Sequence, residues 1–304
     1  MSYICESRKS LVFRCDDDRV GIHVTDEGLI FGCTMPWLSG PKSQLLAYGS
    51  EMSRLDHGWI LKGRGVLSGV LIGKSRAPIR EESRRLYRSI FSLTRGLNCY
   101  RVWNFVPDIN AVVDQIENYQ SFNSGRHQAF VDEFDGIYPL NISAASAVGI
   151  KGDALVIAFV AGRDRVDHFE NPLQVAAAKY PEIYGKNPPL FARGSKITNE
   201  QGTPYWHLSG TASIRVSDTI GRDFMSQLEI TLENISRMLG TMNVPLQRYA
   251  AWKIFLRDRK YLSACKKRLN EIYPDEIEQM VFVETDICRS DLLLEIEAFF
   301  YIKS

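Results

Sequence analysis

A chain of 304 residues is long enough for one large domain or two ordinary ones, and 45% hydrophobic with 24% charged residues is a globular make-up. A net charge of +1 excludes the broad basic face that nucleic acids and anionic membranes require, so basic residues must act locally. No apolar run approaches membrane-spanning length, and Met1 to Lys9 lacks the apolar core of a secretory leader, so a cytoplasmic location is expected.

In chain order, Gly28 to Thr34 and Val66 to Gly73 read as a β-rich lead-in. The Gly73-Lys74-Ser75 that follows lacks the first glycine of a phosphate-binding loop at the required spacing. Glu81 to Leu97 reads as an Arg-rich helix, Asn98 to Val106 as a strand ended by Pro107, and Glu117 to Phe134 as a helix. Asn141 to Ile150 and Ala154 to Val160 read as a strand pair around Lys151-Gly152-Asp153.

Ala161 to Tyr205 differs in composition, being rich in Pro, Gly, Asn and Tyr. A connector of this length is uncommon inside a compact domain and is usually functional or disordered, and its aromatics argue against disorder. Trp206 to Val216 then gives a second lead-in strand. Asp223 to Leu239 has helical periodicity through Phe224, Leu228, Leu232, Ile235 and Leu239, with Asp223 at its start and Gly240 as its stop. Arg248 to Arg257 reads as a strand and Lys260 to Ile272 as an amphipathic helix. Gln279 to Asp286 and Leu292 to Ile302 form a last strand pair around Arg289-Ser290-Asp291.

Helix, strand, helix, strand, strand thus occurs twice. The expected fold class is mixed α/β (α+β), with helices packed on mixed sheets and two halves from an internal duplication. The expected divisions are 1–160, a connector over 161–205, and 206–304. Aligning the two turns on Asp153 and Asp291 sets Glu295 opposite Ile157 and Glu297 opposite Phe159. One half is then apolar where the other has two acids, the pattern of a duplication that keeps one working site. Glu295 and Glu297 share one face of their strand, and Leu294, Ile296 and Ala298 share the other.

Six cysteines without C-x-x-C spacing and five dispersed histidines give no metal motif, and no G-x-S-x-G elbow or G-x-G-x-x-G loop is present.

Several stretches in one order resemble the chorismatases. They are Tyr100 to Asn110, Glu117 to Phe130, Phe159 to Gly162, Asn171 to Gln174, Tyr180 to Gly185, Phe191 to Arg193, Ser209 to Ser213 and Cys288 to Ala298. The resemblance runs from about Gly65 to the C-terminus. The second half is also similar to the YjgF (RidA-like) fold, so two YjgF/RidA-like halves of chorismate mutase-like topology are implied. The implied reaction is cofactor-free removal of pyruvate from chorismate by protonation of its enolpyruvyl methylene. In one subtype water adds, leaving trans-3,4-dihydroxycyclohexa-1,5-diene carboxylate. In another a ring substituent attacks and the ring aromatises to 3-hydroxybenzoate.

The substrate is a dianion, which calls for Arg forks. Protonating carbon needs an acid that is still protonated near neutral pH, so a Glu must be buried or set beside another negative charge. The resemblance implies Glu295 as that acid; Glu297, on the same face, is either a partner behind it or solvated, and the solvated reading is favoured. It implies Arg193 and Arg126 as carboxylate clamps, Tyr119 and Tyr184 as hydroxyl donors or pocket walls, and Gln227 and Arg289 as weaker candidates. Gly210, Ala212 and the small strand to Ser213 permit close approach of a ligand to the backbone. In this family the residues at Ala212 and Cys288 separate the product subtypes. Cys288 resembles the hydroxybenzoate-forming kind and Ala212 the dihydrodiol-forming kind. 3-Hydroxybenzoate is the expected product and hydrolysis the alternative. Expected partners are a small-molecule substrate and, at most, further copies in a small homo-oligomer; no nucleic acid, membrane, metal or cofactor is expected. An imine deaminase and a non-catalytic binding protein on the same scaffold are more distant alternatives. The label of pteridine-dependent dioxygenase, carried by some relatives, is disfavoured by the lack of a His/carboxylate triad spacing.

Overall fold

The computed structural model describes residues 9–16, 20–134 and 142–302. Asn141, at the start of an expected strand, and Cys5 lie outside the described residues. The described residues begin with five strands: β1 (Lys9–Asp16), β2 (Gly21–Thr25), β3 (Gly28–Thr34), β4 (Trp37–Ser39) and β5 (Ser43–Gly49). A meander follows, made of β6 (Glu51–Leu55), β7 (Gly58–Gly63) and β8 (Val66–Ile72). Next come helix α1 (Ile79–Leu93), β9 (Asn98–Pro107), the ribbon β10 (Val112–Val113) and β11 (Ile116–Glu117), α2 (Asn118–Phe134), β12 (Ala144–Ile150) and β13 (Val156–Gly162). The remainder is β14 (Arg165–Phe169), β15 (Gly194–Thr198), β16 (Pro204–Thr211), the ribbon β17 (Ile214–Arg215) and β18 (Asp218–Thr219), α3 (Phe224–Thr241), β19 (Arg248–Leu256), α4 (Leu262–Ile272), β20 (Val281–Glu284) and β21 (Leu294–Ile302).

The duplication is explicit in the sheets. One has the order β12-β9-β13-β8-β7-β6 and the other β20-β19-β21-β16-β15-β14, with β4 added outside β20. In each, the central strand runs parallel to one neighbour (β9 to β12, β19 to β20) and antiparallel to the other (β9 to β13, β19 to β21). The two expected strand pairs are therefore not hairpins. The central strand lies between their members, and each turn crosses over it.

Two boundaries also differ from expectation. Helix α1 stops at Leu93 rather than Leu97, because Thr94 turns its hydroxyl back onto the Ile90 carbonyl (2.8 Å) and Gly96 takes a left-handed φ of 77°. The connector is not irregular throughout, since Arg165–Phe169 and Gly194–Thr198 are the edge strands β14 and β15. Alternation in those five-residue stretches is too short to stand out among Pro and Gly.

Each sheet buries one face under its own helices. Leu294, Ile296, Ala298 and Phe300 of β21 pack with Leu228, Ile235 and Leu269 of α3 and α4. Helix α3 is fixed at its start by a capping box between Asp223 and Ser226. Ile157 and Phe159 of β13 pack with Leu86, Ile90 and Phe122 of α1 and α2. These helices meet closely: a Cβ on Gly125 would stand 2.0 Å from the Arg80 carbonyl oxygen. The opposite faces of both sheets, with the N-terminal sheet of order β2-β3-β1-β5, enclose the central layer. Phe13 and Phe105 stack there at 5.5 Å.

This arrangement corrects the alignment of the two halves. Ile157 and Phe159 face helices, whereas Glu295 and Glu297 face the central layer; the β13 residues that share that layer are Val156, Ala158 and Val160. Aligning on the turns is out by one residue, which in a strand exchanges the faces. The contrast itself stands, because β13 is apolar where β21 carries acids.

Candidate active site

The chemistry gathers where the central layer opens between α2, the 170–193 segment and the start of β21. A cavity of about 320 Å³ lies there. Glu295 forms its floor and is only 4% exposed. Its Oε1 has no hydrogen-bond partner, and its Oε2 lies 3.9 Å from the Cys288 thiol. Burial, with the charge of Glu297 second, pushes the Glu295 pKa up to about 8 against the pull of Arg101, Arg193 and Cys288. The acid is thus protonated at neutral pH. Burial, with the Glu295 charge second, pushes the Cys288 thiol up to about 12.

Three guanidiniums line the walls. Arg126 reaches in from α2, where Asn123, three residues earlier on the same helix, accepts from its Nη2 at 2.7 Å; it lies over the Phe122 ring at 5.0 Å, and its Nε is buried without a hydrogen-bond partner. Arg193, just before β15, donates to the Tyr180 hydroxyl (2.6 Å) and the Val175 carbonyl (3.3 Å) and lies over the Phe191 ring. Its Nε also lacks a hydrogen bond and stands 3.9 Å from Glu170. Arg289 stacks on Tyr184 at 3.7 Å and donates to the Ser217 carbonyl, leaving Nη2 buried and unpartnered. Buried guanidinium N–H groups are costly to leave unpaired, so three such groups around one cavity mark a place for an anion with several oxygens.

Tyr119, Tyr184, Ala212 and Cys288 line the same cavity, as do Arg193, Arg126 and Glu295. Burial raises the Tyr119 pKa, so its hydroxyl keeps its proton. The Tyr184 hydroxyl is already engaged with Asp218. Two expected residues stand elsewhere. Ser213 is fully buried and outside the cavity lining. Gln227 spends its amide on backbone: Nε2 donates to Gly221 O (3.2 Å) and Asp291 O (2.9 Å), and Oε1 accepts from Leu293 N (2.9 Å). It braces the turn before β21 instead of facing the cavity, because helix α3 lies on the outer face of the sheet.

Glu297 is not solvated. It is 3% exposed and accepts from Arg101, Trp103, Ser146 and Lys253. Burial opposes its ionisation, but Lys253 and Arg101 outweigh that and hold its pKa below the usual carboxylate value. Arg101, Lys253 and Ser146 were the residues that sequence reasoning passed over. A signal for the first two existed: each is a lone cation inside an apolar strand, in Tyr100-Arg101-Val102-Trp103 and Trp252-Lys253-Ile254-Phe255. Among the described residues no group of three or more His, Cys, Asp or Glu is placed to hold a metal ion, and no helix is long and apolar enough to cross a membrane.

The family described as "Chorismatase FkbO/Hyg5-like, N-terminal" matches residues 51–161. A chorismatase of Streptomyces hygroscopicus is 34% identical over 233 residues, which cover 70% of this chain and 65% of that protein. A 3-hydroxybenzoate synthase of the same species is 30% identical over 238 residues, covering 71% of this chain and 68% of that one. The crystal structure of a chorismatase superposes with a TM-score of 0.82 over 97% of this chain and 94% of that chain, at 25% identity. A YjgF/YER057c/UK114 family member from Mycobacterium tuberculosis is matched along its whole length to 45% of this chain, with a TM-score of 0.32 and 20% identity. The chain spans about two thirds of the length of the curated relatives it matches (65% and 68%). On the extent of the sequence and structural matches together, this chain belongs to the chorismatase family.

Proposed function

We propose that the protein removes pyruvate from chorismate, with Glu295 giving its proton to the enolpyruvyl methylene carbon. The observation that carries this reading is a buried carboxyl with its pKa raised to about 8, on the floor of a cavity ringed by Arg126, Arg193 and Arg289. The guanidiniums suit a dicarboxylate, and their unpaired N–H groups are the ones a substrate carboxylate would satisfy. Protonation of the methylene leaves an oxocarbenium-like carbon, and the Glu295 carboxylate that forms beside it offsets the charge.

The product favoured is 3-hydroxybenzoate. Attack by the ring hydroxyl expels pyruvate and the ring aromatises, so chorismate divides into the two products without water and the ring proton lost restores the acid. Cys288, whose neutral thiol lies 3.9 Å from Glu295 within the cavity, supports this choice by filling space at the acid that an attacking water would use. Hydrolysis to the dihydrodiol carboxylate, which consumes one water, is the alternative that small Ala212 keeps open.

Incubation with chorismate, following pyruvate and the ring product by mass spectrometry, tests both levels. Absence of pyruvate would falsify the reaction. Pyruvate released equally fast by Glu295→Gln would remove Glu295 from its role. Accumulation of a dihydrodiol in place of 3-hydroxybenzoate would reverse the product assignment.

A further inference from the structure

Glu295 and Glu297 stand two residues apart on one face of β21, roughly 6–7 Å along the strand. Their surroundings are opposite. Glu297 takes all the donors: Oε1 accepts from Trp103 Nε1 (3.0 Å) and Lys253 Nζ (3.1 Å), and Oε2 from Arg101 Nη2 (2.7 Å) and Ser146 Oγ (2.6 Å). These donors come from three other strands, β9, β12 and β19. Four donors leave no lone pair on Glu297 suited to a proton. Glu295 has an unpartnered Oε1 and only a thiol near Oε2. Two carboxylates this close cannot both ionise cheaply, and the donor set decides which of them does.

We infer that Glu297 is a positioning residue for the acid: fixed as an anion by Arg101, Lys253, Ser146 and Trp103, it supplies the charge that keeps a proton on Glu295. This rests on the reading of Glu295 as the proton donor. The other charged or titratable groups around Glu295 are Arg193, Arg126, Arg289, Glu117 and Asp291 on the cavity walls, together with the neutral Cys288 and Tyr119. The cations among them favour ionised Glu295; burial opposes them first, and the Glu297 charge adds to burial. His207, from β16, faces the Glu297 side and is neutral, since burial, then Arg101, lowers its pKa to about 3. Lys253 has no carboxylate partner but Glu297 among the described residues, which ties this buried cation to the same task.

The test is Glu297→Gln. Its direct readout is the Glu295 carboxyl resonance in protein labelled with 13C at the glutamate carboxyls, assigned by its absence in Glu295→Gln. The Glu295 midpoint is expected to fall by at least about one pH unit. The ratio of kcat at pH 6 to kcat at pH 8 should rise about fivefold in consequence, whereas a merely structural role would scale both rates alike. Should Glu297→Gln not fold, Glu297→Gln with Lys253→Met removes the cation left unpaired and is expected to show the same fall. An unchanged Glu295 midpoint in either folded variant overturns the inference. Pyruvate release by the wild-type protein is read separately: its absence sinks the reaction, while the titration alone decides whether Glu297 holds the proton on Glu295.

Discussion

Glu295 holds its carboxyl in the space that a side chain at residue 210 would need: a Cβ on Gly210 would stand 2.0 Å from Glu295 Oε1. Gly210 lies where β16 loses its register with β21, between the pairs at Leu208 and Thr211, and its N–H donates to Ser146 Oγ at 2.9 Å. The strand irregularity and the missing side chain together open the pocket into which the acid folds.

Gly210→Ala therefore displaces the acid. The atom in the way is the end of a flexible side chain, so the fold accommodates it, and Tm should stay within about 3 °C. The reacting geometry does not survive so well, and kcat should fall by about 100-fold. A kcat within threefold of wild type would show that the position of Glu295 is not set by this contact.

The proton on Glu295 also affects stability. With its pKa raised from 4.5 to about 8, the folded protein retains a proton that the unfolded chain releases across that interval. The stability this provides is fully present below about pH 4.5 and is lost as pH rises through about 8. Glu295→Gln cannot ionise, so its Tm should gain on wild type as pH climbs from 5 to 9, by roughly 2–4 °C for each kcal/mol of linkage. Parallel melting of the two proteins across that range would argue against the raised pKa.

The duplicated fold was legible because its helices and strands keep regular periods and the two halves repeat one order. Which face of β21 carried the acids relative to β13 was not, because the turns around Asp153 and Asp291 cross over a central strand and need not be of equal register. Glu295 could be found as a charge inside an apolar strand, and so could Arg101 and Lys253. Their mutual pairing through Glu297 depends on contacts 44 to 196 residues apart in sequence, which no local pattern encodes. Gln227 misled for the opposite reason: an amide on a helix looks the same whether it faces a ligand or the backbone of a turn.

Arg193 offers a test of fork recognition. One end of the guanidinium is anchored on Tyr180 and Val175, while the buried Nε makes no hydrogen bond and has Glu170 at 3.9 Å. Arg193→Lys retains the charge and loses the planar fork. We expect kcat/KM for chorismate to fall between about 10- and 100-fold, the equivalent of losing one or two charge-assisted hydrogen bonds. A loss under threefold would mean that charge alone suffices there.

Gln227 separates bracing from binding. Its three hydrogen bonds join α3 to the Gly221 carbonyl and to Asp291 and Leu293, the residues that lead into β21. Gln227→Leu keeps nearly the same volume but leaves one buried N–H and two carbonyls without those partners, at a cost of roughly 2–4 kcal/mol. For a chain of this size that corresponds to a Tm lowered by about 5–10 °C. Because Glu295 lies only two residues beyond Leu293, a slackened turn should also lower kcat, while KM stays within about twofold since no substrate contact is removed. A KM raised tenfold with Tm unchanged would instead return Gln227 to the substrate.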